Sequence, residues 1–124
     1  MPKTEVQFFK DERGRVPVRE WLRDLRRRDA RAHAKCVARI GRLAEIGYEL
    51  RRPEADTLRD GIHELRVRRG NVNYRILYFF DGRNAADLAH ALVKEGEVPD
   101  GDIDLARESK VLVTRSPEKY IHEE

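Results

Sequence analysis

The 124-residue sequence contains one cysteine, Cys36. A lone thiol excludes an internal disulfide and a cysteine-built zinc site, and it fits a reducing compartment. No apolar stretch approaches the ~20 residues that a membrane span needs. The opening Met1-Pro2-Lys3-Thr4-Glu5 lacks the apolar segment of a signal peptide. The expectation is therefore a cytoplasmic protein that does not use a membrane. Internal repeats, low-complexity linkers and a glycine-rich phosphate loop are also missing. No two of the four histidines stand at metal-ligand spacing, so neither a metal nor a cofactor is expected. Lysine is scarce, at 6 residues against 20 arginines.

Charge is abundant: 40% of residues are charged and 40% hydrophobic, with a net charge of +3. That average hides an asymmetry. Residues 1–83 hold 21 basic and 13 acidic side chains, whereas residues 84–124 hold 5 basic and 10 acidic. Arginine presents a planar fork of donors that suits phosphate, and it stacks on bases. A GC-rich genome also enriches arginine, but the basic body points toward nucleic acid. The apolar residues come in runs, which argues against disorder. The length suits a single domain, 1–124, around one hydrophobic core; two cores would be a stretch.

Local patterns predict the elements. Glu5 to Lys10 alternates loosely and is β-prone. Pro17 fits the first position of a helix, and Val18, Trp21, Leu22 and Leu25 follow helical spacing. That helix ends in Arg26-Arg27-Arg28, which suits the negative end of its dipole. Asp29 is placed to cap a second helix. Its apolar stripe is His33, Cys36, Val37, Ile40, Leu43 and Ala44, and Gly47 is its stop. Residues 48–60 read as irregular. Three strands are then predicted, Ile62–Arg69, Val72–Phe80 and Ala86–Lys94, joined by turns at Gly70-Asn71 and Asp81-Gly82. A short terminal helix follows Pro99, with Ile103 and Ala106, and also Leu105 and Leu112, as inward candidates. Residues 115–124 read as a frayed tail. The layout is α+β: an N-terminal strand, a two-helix hairpin, a three-stranded antiparallel meander completing a small sheet, and a C-terminal helix, with the helices on one face.

Strand alternation sorts the side chains. Leu65 and Val67 share a face with His63, and Tyr74, Ile76, Tyr78 and Phe80 line up on the next strand. These belong to the core, which removes Tyr74 and Tyr78 as base-stacking residues. The opposite face presents Glu64, Arg66, Arg68 and Arg75 together. Like charges on adjacent strands repel. The stripe is therefore either a seat for an anion or a solvated surface that Glu64 and nearby acids neutralise. Cys36, on an apolar helix stripe, reads as packing rather than as a nucleophile.

Leu58-Arg59-Asp60-Gly61-Ile62-His63-Glu64-Leu65-Arg66-Val67-Arg68, followed by Asn73-Tyr74-Arg75-Ile76-Leu77-Tyr78-Phe79-Phe80, resembles the RelE/ParE toxin superfamily, most closely its HigB-like, phage-derived branch. Arg15 to Leu22 looks like that branch's entry to the helical hairpin. Val93-Lys94 with Pro99, Ile103 and Ala106 looks like its last strand and terminal helix. The likeness covers roughly residues 4 to 112.

The resemblance implies the toxin of a type II toxin–antitoxin system. Such a toxin is a metal-independent endoribonuclease that cuts ribosome-bound mRNA and inhibits translation. Its partners would be mRNA, the ribosome and a cognate antitoxin, in this branch commonly a helix-turn-helix protein. The chemistry needs a base, an acid and cations around a phosphorane. Arg66 and Arg75 are candidates to brace the phosphate, and Lys94 to transfer a proton or stabilise charge. Glu64 is a candidate base or an orienter of an arginine. Arg68 and Arg69 are candidate RNA-positioning cations. His90, which alternation groups with Lys94, is a possible catalytic residue. The chain departs from the branch where lysines are usual. Asp56-Thr57 precede the second strand, and Glu95, Glu97, Asp100 and Asp102 surround the segment after Lys94. Two other readings stay open: a ParE-like inhibitor of DNA gyrase, and a degenerate toxin-fold module that only binds an antitoxin.

Overall fold

The computed structural model describes residues 3–82 and 84–122. After β1 (Glu5–Phe9) the chain forms the hairpin α1 (Pro17–Arg28) and α2 (Ala30–Ile46). Pro17 opens α1 as expected, and the carboxylate of Glu20 accepts from the Val16 amide at 3.1 Å. Asp29 ends α1 and caps α2, accepting from the Ala32 amide at 3.1 Å. That amide, aided by Arg69, holds the Asp29 carboxyl below its ordinary range. Gly47 stops α2 at a φ of +63°, where a Cβ would collide with Thr4 Oγ1. Only glycine meets both demands at no steric cost.

Residues 48–60 are more ordered than their sequence suggests. A 3-10 turn at Gly47–Glu49 leads to a short strand, β2 (Ala55–Thr57), paired antiparallel with β3 (His63–Arg69). Three residues are too few to show a period-two pattern. The meander continues through β4 (Val72–Asp81) and β5 (Ala85–Val93), within a residue of the predicted bounds. It is followed by α3 (Asp100–Arg115), α4 (Pro117–Tyr120) and β6 (Ile121–His122). The sheet has six strands in the order β2-β3-β4-β5-β1-β6, with β1 parallel to β5 and β6 antiparallel to β1.

The architecture is α+β, as expected, but the helices occupy both faces of the sheet. The hairpin packs Val18, Leu22, Leu25, Cys36 and Leu43 against Leu65, Val67, Tyr74, Ile76, Tyr78 and Leu88. On the other face, α3 packs Ile103, Ala106 and Val113 against Ile62, Leu77, Phe79 and Ala89. Two apolar clusters thus flank one sheet, in place of the single core expected. The reason lies in β4, where Leu77 and Phe79 alternate with Ile76 and Tyr78, so both faces need cover.

Several smaller expectations are corrected. The C-terminal helix is 16 residues long. Its inward stripe runs Ile103, Ala106, Ser109 and Val113, leaving Leu105 exposed and Leu112 partly buried. Val37 points outward from α2. The segment after Arg115 is not frayed: Tyr120 and Ile121 are buried, Tyr120 stacks on Phe9, and β6 extends the sheet. The last two acidic residues of the expected tail lie outside the described residues.

Candidate functional site: an arginine cleft beside the third helix

The two-residue turn after Arg69 fixes the register of β3 and β4. Gly70 takes a φ of +61°, as the primed hairpin turns require. Arg66 then falls directly opposite Arg75, Glu64 opposite Leu77, and Arg68 opposite Asn73. A slip of one residue would carry all of these to the hairpin side. α3 covers the part of this face that holds Leu77 and Phe79, and leaves the arginine end open. The result is a furrow made of two adjoining clefts, of about 600 and about 330 Å³, which share Arg66, Arg68, Asn73 and Arg75.

Two facing guanidiniums repel unless something offsets them. Here the arrangement is asymmetric. Arg75 is 6% exposed, donates from Nη1 to the carboxylate of Glu64, and donates from Nη2 to the Gly96 carbonyl at 2.7 Å. It is buried on the predicted face rather than displayed on it. Its bond to Gly96 ties the loop after β5 to the sheet. Glu64 is itself buried and fully engaged with Arg75. The pairing holds the Arg75 guanidinium and the Glu64 carboxylate in fixed orientation. Arg66 is half-buried, lines both clefts and makes no side-chain hydrogen bond or ion pair among the described residues, although its charge is felt by the Asp56 carboxylate. Its backbone carbonyl accepts from Arg39, and its amide donates to the Glu54 backbone carbonyl at 2.8 Å. The strand is thereby held while the guanidinium stays available.

The other candidates are dispersed. Arg68 is exposed, lines both clefts and donates to the Gly70 carbonyl at 3.0 Å. Arg69 lies outside the furrow, in an ion pair with Asp29 at 3.0 Å. Lys94 is exposed at the end of β5, its amide bonded to the Asn73 carbonyl at 3.1 Å, and it is not among the cleft-lining residues. His90 is also outside: its Nε2 contacts Asp102 at 2.7 Å, clamping β5 to the start of α3. His90 does share a face with Leu92 and Arg75, as alternation expects, but α3 covers it there, and a bulge breaks the alternation only on the other side of His90. Leu77 faces His90 while Tyr78 faces Leu88, so Ala89 is an extra residue in β5. Leu88 enters the hairpin cluster and Leu92 the α3 cluster, although they are four residues apart.

Other residues in the furrow carry little sequence signal. Arg39 on α2 and Arg52 before β2 line the clefts, as does Asn73. Arg52 binds Asp56 through Nε at 2.9 Å and Nη2 at 2.7 Å. The hydrogen-bonded ion pair stabilises both charged forms, lowering the Asp56 carboxyl and raising the guanidinium. The acids that stand where lysines are usual are largely spoken for. Arg59 holds Asp104 at 2.9 Å and Asp100 at 3.3 Å, and Asp102 holds His90. Asp100 and Asp102 also sit in the first turn of α3, where the helix dipole favours negative charge. Glu97 is the cleft-lining acid without an ion-pair partner among the described residues.

Among the described residues, no group of three or more His, Cys, Asp or Glu side chains is placed to hold a metal ion. No described helix is long and apolar enough to cross a membrane. Cys36 is fully buried, and burial pushes its thiol up to about 11, which makes it an inert packing residue.

No curated protein sequence matches the chain. A family model does: that of the phage-derived Gp49-like proteins matches residues 20–111, a span from the start of α1 to the last turns of α3 that contains the whole arginine furrow. The chain belongs to the Gp49-like family of phage-derived proteins.

Proposed function

We propose that this protein is the toxin of a type II toxin–antitoxin pair, a metal-independent endoribonuclease that cuts ribosome-bound mRNA. The observation that carries the reading is the cross-strand pair Arg66–Arg75 at the floor of an open basic cleft. Such a cleft suits the phosphate of a polyanion. Of the facing pair only Arg75 is ion-paired, and across both clefts Arg39, Arg52, Arg59, Arg66, Arg68 and Arg75 outnumber Asp56, Glu64, Glu97 and Asp100, which leaves a net positive seat. Family membership and the resemblance to RelE-like toxins agree with it.

In this mechanism the RNA 2′-oxygen attacks the adjacent phosphorus, forming a cyclic phosphate as the bond to the 5′-oxygen breaks. Arg66 supplies the mobile donor fork to the phosphorane oxygens. Arg75, oriented by Glu64 and Gly96, supplies fixed positive charge. Glu97 is the available carboxylate for the 2′-hydroxyl proton, and Lys94 at the rim stabilises charge or returns a proton to the leaving oxygen. Arg68 positions the flanking backbone. Translating ribosomes place the work in the cytoplasm, and a helix-turn-helix antitoxin is the partner that would restrain it.

The test compares wild type with Arg66→Ala on ribosome-bound mRNA, with a gyrase supercoiling assay in parallel. Loss of one transition-state donor should slow cleavage by about 10²–10³, while the melting temperature stays near that of wild type. A wild-type protein that blocks supercoiling and leaves mRNA intact would establish the ParE-like reading instead. Inactivity in both assays, with no growth arrest on expression, would leave the antitoxin-binding module.

A further inference from the structure

The other side of the edge strand β2 carries a second cleft, of about 330 Å³, with a different chemistry. Its wall is aromatic. Tyr48, 60% exposed, lies stacked on Phe80 with ring centroids 3.9 Å apart and planes 19° apart. His63 stacks on Tyr78 at 5.2 Å and meets Phe80 edge-on at 5.2 Å. The imidazole Nδ1 is 3.1 Å from the Thr57 hydroxyl. Burial lowers the His63 pKa, with Lys110 adding to the effect, which favours the neutral ring. The exposed Arg51 and Arg52 edge the same cleft.

A tyrosine on a 3-10 turn is not required for the core, since its outer ring face remains in water. Exposed rings backed by further rings, next to exposed cations, are the equipment of single-stranded nucleic-acid sites. The location adds a second argument. Arg52, Asp56 and Thr57 line this cleft and the arginine furrow alike. Because β2 is a three-residue edge strand, the two clefts meet around it.

We propose that the Tyr48–His63–Phe80 cleft is a nucleobase subsite, which holds a base of the same single-stranded RNA whose phosphate lies in the arginine furrow. This inference deepens the ribonuclease reading and rests on it for the identity of the polymer. The base stacks on the outer face of Tyr48, Arg51 meets the adjacent phosphate, and the Thr57–His63 pair offers hydrogen bonds to the base edge.

The probe is a hexaribonucleotide with 2′-O-methyl sugars, which cannot be cut, carrying 2-aminopurine as a fluorescent base. Wild type should bind it with quenching of the fluorophore. Tyr48→Ala should lose the quenching and bind about tenfold more weakly. Tyr48→Leu, which keeps apolar cover over Phe80, should behave like Tyr48→Ala, and Tyr48→Phe like wild type. Melting temperatures of all three variants separate loss of stacking from loss of fold. Equal affinity and quenching in wild type and Tyr48→Leu would overturn the subsite, as would failure of wild type to bind the probe. If wild type binds and quenches yet cuts no ribosome-bound mRNA, the subsite stands and the ribonuclease reading falls. If it cuts mRNA while Tyr48→Leu still quenches, the reverse holds.

Discussion

The two faces of the central sheet are built to different ends. The hairpin face is closed over most of its area, with Leu65, Val67, Tyr74 and Ile76 sealed under α1 and α2, and it opens at the Tyr48–His63–Phe80 cleft by β2. The α3 face is half apolar cluster and half furrow. All three buried charged residues among the described ones, Glu64, Arg75 and Asp87, lie on it. Buried charge is tolerated only when paired or neutralised. The difference teaches that one face carries the hydrophobic stabilisation, while the other gives up some of it to hold polar groups in fixed positions.

Removing one member of the buried pair should produce the largest effect. Glu64→Gln leaves the Arg75 guanidinium buried without its counter-charge, which should cost about 3–5 kcal/mol in urea unfolding. Replacing both, as Glu64→Leu with Arg75→Met, should recover most of that stability without restoring mRNA cleavage. A single substitution costing under ~1 kcal/mol would mean that the α3 face opens enough to hydrate Arg75.

A truncation on the closed face is the counterpart. Ile76→Ala, fully buried under the hairpin, should cost about 2–5 kcal/mol. Cleavage per folded molecule should be unchanged. If Ile76→Ala instead abolished cleavage while the protein remained folded, the division of labour between the faces would be wrong.

Asp87 sharpens the contrast in another way. It lies between Phe79 and Gln7 in the sheet, fully buried, and its carboxylate oxygens have no hydrogen-bond partner among the described residues. Burial, reinforced by Asp81 and Glu5, pushes its pKa up to about 7. In the unfolded chain an aspartate titrates at about 3.9. Between those pH values the folded form keeps a proton that the unfolded form has released. Stability should therefore fall as pH rises from about 4 to about 7, and stay low above that. Asp87→Asn should flatten this dependence in thermal unfolding and add about 1–2 kcal/mol at pH 8. An unchanged pH profile would show that Asp87 finds a partner in solution.

The smallest effect belongs to the rim. Arg68→Ala should weaken binding of single-stranded RNA by a few-fold, equally across sequences, and lower the slope of log K against log salt by about one. Arg69→Ala, whose side chain serves Asp29 at the start of α2, should leave that slope unchanged. Equal salt effects for the two would place Arg69 on the RNA path after all.

The sequence by itself determined what local chemistry controls. Pro17, Asp29 and Gly47 set the ends of the hairpin helices, because caps and stops act within a few residues. Gly70 set the β3–β4 turn, and strand alternation put Arg66 and Arg75 on one face. Only the tertiary structure decided how that face is used. The packing of α3 over this face, which no period-two reading encodes, brought Asp102 to His90 and closed that histidine off from the furrow. Covering Leu77 and Phe79 required α3 on the far side, and that placement turned an open stripe of arginines into a cleft. Arg39 and Arg52 entered the cleft from α2 and from the segment before β2, through contacts between distant parts of the chain. Tyr120 and Ile121 were drawn from an apparent tail into the sheet, because β1 has an edge left to pair. Composition and spacing fix which groups are present and which way a strand or helix turns them. Which groups lose water, and which partners they then find, depends on how separate elements pack, and no local pattern encodes that.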